Sequence, residues 1–79
     1  MTNTELLEKL IRESGLKLSY IAEKLGISRQ ALHKKIKGLV HFNGPEIKIM
    51  CELLGLKTWG QIKPVFFADK VSKNDYKAG

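Results

Sequence analysis

The sequence predicts an all-α fold: a compact five-helix bundle over residues 1–68, followed by a polar, flexible tail at 69–79. Three observations carry this. Apolar residues recur at helical spacing in successive windows: Leu6, Leu7, Leu10, Ile11; Ile21, Ala22, Leu25; Leu32, Ile36; Ile47, Met50, Cys51, Leu54. Capping residues and glycines bracket those windows at helix-length intervals. Only one run, Val65, Phe66 and Phe67, has strand character, and it predicts at most a short C-terminal strand or extended segment.

In chain order, Thr2 and Glu5 have the spacing of a capping box, which predicts a first helix running to Glu13 or Ser14 and closed by Gly15. Its charged residues Glu5, Glu8, Lys9, Arg12 and Glu13 read as a solvated face. A second helix is expected over residues 16–25, where the small Ala22 allows a close helix crossing and Gly26 forms the stop. Ser28 follows as the N-cap of a third helix, residues 28–37. Only Gly26 and Ile27 separate the two, which excludes an antiparallel pair and requires a steep crossing. Phe42, in the connection after Gly38, is expected to plug the core. Asn43, Pro45 and Glu46 start a fourth helix, which Gly55 ends. Thr58 and Gln61 start a short fifth, which Pro64 is expected to terminate.

The third helix carries the chemistry. At about 100° per residue, Ser28, Leu32 and Ile36 share one side. Gln30, His33, Lys34 and Lys37 occupy the other, with Arg29 and Lys35 at the boundary. From residue 24 to 45 there are five Lys or Arg and no acid, which accounts for five of the net charge of +6. A pI near 9.6 favours a polyanionic partner, and the clustering sharpens that inference. The 79 residues make one domain, with 43% hydrophobic and 28% charged residues. No run approaches the 18 or so apolar residues of a membrane span. The N-terminus has no secretory pattern, and a single cysteine, Cys51, suits a reducing cytoplasm.

Residues 16–38 resemble the helix-turn-helix of the Cro/repressor family of phage and bacterial regulators, whose fold is lambda-repressor-like. The resemblance rests on Ile21-Ala22, Leu25-Gly26-Ile27-Ser28, Leu32 and Gly38, and extends over roughly residues 3–57. Two departures stand out. Leu18 occupies the position where this family often has Gln, and Lys35-Ile36 stand where an apolar residue and then Glu are usual. The apolar seam should therefore be rotated toward Ile36.

The resemblance implies a sequence-specific double-stranded DNA-binding regulator that acts by operator occupancy, in the bacterial cytoplasm or nucleoid or in a phage-infected cell. Such a chain needs no cofactor, small-molecule substrate or membrane, and it is expected to be a homodimer at least on DNA, with no room for a sensor or cleavage domain. It implicates Arg29, Gln30, Lys34 and the neighbouring His33 in base contacts. Gln suits adenine, and Arg or Lys suits guanine, in a major groove about 12 Å wide. Ser28, Lys35, Lys37 and the helix start at Asn43 and Gly44 are the expected phosphate contacts.

Other chemistries find less. His33, His41 and Cys51 match no zinc spacing, so no metal site is expected. No nucleophile with base, carboxylate pair or phosphate loop appears, which predicts a non-enzyme. Trp59, Val65, Phe66 and Phe67 leave two readings open: aromatics covering a small core, or a dimer or partner contact. A rival function follows from the second, a protein-interaction module of antitoxin or antirepressor type docking through this segment.

Overall fold

The computed structural model describes residues 1–68; the expected polar tail at 69–79 lies outside the described residues. Five helices form, in the order α1 (Thr4–Ser14), α2 (Leu18–Leu25), α3 (Arg29–Ile36), α4 (Gly44–Leu54) and α5 (Trp59–Phe66). Among the described residues there is no strand. α2 packs on α3 and α4, while α1 packs on α3, α4 and α5. Among the described residues no helix is long and apolar enough to cross a membrane.

The predicted stripes meet in one core. Leu7 and Ile11 come from α1, Ile21 and Ala22 from α2, Leu32 and Ile36 from α3, Met50 and Cys51 from α4, and Val65 and Phe66 from α5. Leu6, Leu10, Leu25, Ile47 and Leu54 pack around it half-buried. Phe42 fills the base as expected, its ring edge-on to Phe66 at 5.5 Å. The seam of α3 does lean to Ile36, which is buried at 4% exposure.

Three boundaries differ from the sequence reading. Asn3, not Thr2, caps α1, with its side-chain oxygen accepting from Leu6 N–H at 3.1 Å. α2 begins at Leu18 rather than two residues earlier. The third difference is the largest. Pro64 does not end α5, and residues 65–67 are not a strand: the helix runs through the proline to Phe66. A proline inside a helix costs about 3 kcal/mol. Burying Val65 and Phe66, which the helical continuation carries into the core, contributes about 1.5–3 kcal/mol each.

α4 starts at a complete capping box. The Asn43 side chain accepts from Glu46 N–H at 2.8 Å, and Glu46 accepts from Asn43 N–H at 2.9 Å. Asn43→Ala is expected to lower stability by about 1 kcal/mol in a thermal melt, and Asn43→Asp to retain most of it.

Candidate nucleic-acid interface

α2 and α3 are joined by a turn whose geometry the residues dictate. Gly26 adopts φ +73°, which a side chain would oppose, and its N–H reaches Glu23 O at 3.1 Å. Ile27 N–H then bonds Ala22 O at 3.0 Å, the paired closure of a Schellman motif. Ser28 is extended, and its hydroxyl oxygen accepts from Ala31 N–H at 3.0 Å. The chain thus leaves one helix and enters the next across three residues, Gly26, Ile27 and the cap Ser28. Leu32 and Ile36 are then sunk in the core, leaving the other side of α3 outward.

That outward side brings together the four residues expected at base edges. Arg29, Gln30, His33 and Lys34 are all exposed and, with Leu18 from α2, line one shallow hollow. Arg29 and Lys34 have no ion-pair partner among the described residues. The face therefore combines a planar guanidinium, an ammonium, an amide and an imidazole. These are the donors and acceptors that can pair bidentately with purine edges or bind phosphate.

The residues expected at phosphates are placed less uniformly. Lys35 corrects the sequence reading. Its ammonium donates to Glu46 Oε1 at 2.8 Å and to His41 O at 3.1 Å, and it sits 6.0 Å from the centre of the Phe42 ring. With its side chain only 13% exposed, it is a link between α3 and α4 rather than a free phosphate ligand. Burial pushes the Glu46 carboxyl up. The hydrogen bonds from Lys35 and from Asn43 N–H, with the lysine charge, more than offset this, and the carboxyl titrates below its ordinary value.

Lys37 is exposed but ion-paired to Glu8 of α1 at 2.7 Å. At the start of α4, Asn43 N–H is taken by Glu46, whereas Gly44 N–H has no partner among the described residues. Ser28 remains at the surface, where its hydroxyl proton can still be donated.

The C-terminal aromatic group divides. Val65 and Phe66 are core, at 1% and 3% exposure, so they are not available as a dimer or partner contact. Trp59 and Phe67 remain exposed and lie against each other, ring centroids 5.4 Å apart and planes tilted by 36°. Cys51 is buried, and burial followed by the nearby Glu52 charge pushes its thiol up, consistent with a small apolar role.

The sequence reading missed the contribution of α1. Glu8, Arg12 and Ile11 line a second hollow with Leu18, His33, Ile36 and Lys37, which shares Leu18 and His33 with the first. Taken alone, α1 gives no signal of this beyond an amphipathic helix whose charged side reads as solvated. Tyr20 stays on the surface with the Lys24 ammonium 5.4 Å from its ring centre.

A family model described as an HTH domain matches residues 3–50, well over half of the chain. No curated protein and no solved structure matches it. The match spans α1 to most of α4 and encloses the turn and the outward face of α3, so the chain belongs to the helix-turn-helix family of DNA-binding domains.

Proposed function

We propose that this protein is a sequence-specific transcriptional regulator of the Cro or repressor type, binding double-stranded DNA and acting by covering an operator. The observation that carries the reading is the hollow on the outer side of α3, where Arg29, Gln30, His33 and Lys34 converge without an acidic residue among them. A helix presented in this way fits a major groove, with its N-terminal residues toward base edges. Gly44 N–H at the start of α4 and the Ser28 hydroxyl are the phosphate contacts that suit the geometry best.

A single helix of this length reads only a few base pairs, so specificity calls for a second copy. Trp59 and Phe67 are the surface we assign to it. α5 packs chiefly on α1, away from α3, so a homodimer joined there leaves both reading faces uncovered. The same exposed pair is all that remains for the rival reading, docking on another protein.

In vitro selection from a random duplex pool, followed by a salt titration on the best site, tests the function. The expected result is a palindromic site, with log affinity falling by about 0.9 per phosphate neutralised for each decade of salt. Salt-sensitive binding that enriches no sequence would defeat it in favour of the protein-docking reading. Trp59→Ser with Phe67→Ser is expected to leave the melting profile of the monomer nearly unchanged, because both rings are exposed. It should abolish dimer formation on the selected site in an electrophoretic stoichiometry assay.

A further inference from the structure

Two lysines of the α3 end are held by acids from other helices, and the two pairs differ in kind. Lys35–Glu46 is closed, with side chains 13% and 9% exposed. Lys37–Glu8 is open, with side chains 49% and 34% exposed. An ion pair in water is weak and exchanges readily. A DNA phosphate oxygen is the same kind of acceptor as the Glu8 carboxylate that now sits 2.7 Å from the Lys37 ammonium. Glu8 and Lys37 also line the neighbouring hollow, which shares Leu18 and His33 with the Arg29–Lys34 face, so the pair stands at the edge of the proposed DNA footprint.

We propose that Glu8 is an intramolecular competitor of DNA phosphate for Lys37, by which α1 limits how strongly the end of α3 grips the backbone. The inference rests on the DNA-binding reading above. In the free protein Lys37 is neutralised by Glu8; on DNA it exchanges the carboxylate for a phosphate, and the displaced acid then faces the same negative backbone. Both effects subtract from the sequence-independent part of binding and leave the base-edge residues untouched. Lys37 itself is the main cause of the depressed Glu8 carboxyl, with Arg12 and His33 adding to it, so Glu8 remains charged at neutral pH and the competition persists there.

The test compares wild type, Glu8→Gln, Glu5→Gln and the pair of Lys37→Met variants, made in the wild-type and Glu8→Gln backgrounds, on the selected duplex. Glu8→Gln should bind roughly three- to fivefold more tightly, with a salt slope steeper by about 0.9. Glu5→Gln removes an equal charge from the same helix and should change affinity less than about twofold, because Glu5 holds no lysine among the described residues. Lys37→Met should cost little in the wild type but erase the whole gain in the Glu8→Gln background. Unchanged affinity on Glu8→Gln, or an equal gain on Glu5→Gln, would overturn the competition while leaving DNA binding in place. If neither wild type nor Glu8→Gln binds any duplex at low salt, the DNA reading itself falls, and the competition with it.

Discussion

Alanine at both Gln30 and Lys34 is expected to cost about 2–6 kcal/mol of specific affinity, since each well-placed base pairing is worth about 1–3 kcal/mol. That corresponds to a loss of roughly 30-fold to 10⁴-fold on the selected site. Both side chains are exposed and neither contributes to the core, so the melting temperature should move little. The two changes should also differ in character. Gln30→Ala alone should relax preference at one position in each half-site without altering the salt slope. Lys34→Ala should weaken binding and reduce the slope by about one phosphate equivalent wherever the ammonium lies between base and backbone. Measuring affinity against the selected site and its single-base variants separates these outcomes. A double variant that binds as tightly as wild type would remove the outer side of α3 from the reading surface.

The second large effect is on stability. Lys35→Ala would leave the Glu46 carboxylate nearly enclosed, without its ammonium, and is expected to destabilise the domain by about 2–4 kcal/mol. The sign of the pH dependence follows from the lowered Glu46 pKa. A carboxyl that titrates below its ordinary 4.5 in the folded state contributes stability that is fully present above that value. The contribution is lost as pH falls through the folded value. In the variant, burial without the lysine favours the protonated acid instead. The deficit relative to wild type should therefore be largest near neutral pH and shrink as pH falls, beginning above 4.5 where the variant's carboxyl protonates and ending at the lowered wild-type value. Denaturant melts of both proteins between neutral and acidic pH check this, and a deficit independent of pH would assign the loss to packing alone. Glu46→Gln keeps the shape and two of the contacts, and should be milder than Lys35→Ala.

Lys35 also shows why the surroundings of the expected phosphate contacts were harder to read than the outward side of α3. Residues 24–45 contain no acid, so by local sequence every lysine there is free. The acids that claim Lys35 and Lys37 lie at Glu46 and Glu8, on α4 and α1, and only the tertiary fold brings them within 2.8 and 2.7 Å. Charge pairing acts through space, so a window along the chain cannot detect it. The set expected at bases behaved differently: Arg29, Gln30, His33 and Lys34 face outward because Leu32 and Ile36 face inward, and that opposition is a property of helical periodicity alone.

The same division applies to the α5 end. Local rules predicted that Pro64 would stop the helix and leave Val65, Phe66 and Phe67 extended. The core reverses this because Phe42, left at the base by the α3–α4 connection, offers Phe66 a ring edge at 5.5 Å. Two buried side chains then outweigh one missing hydrogen bond. Helix number, the caps at Ser28, Asn43 and Thr58, the left-handed turn at Gly26 and the inward faces were all determined by the sequence itself, because each depends on residues within one or two helical turns. Which lysines at the end of α3 are paired, the split of the aromatic group into core and surface, and the placing of α1 beside the outward side of α3 were decided by the tertiary structure. Each of these depends on which distant helix arrives beside it, and burial and pairing energies are set by that neighbour.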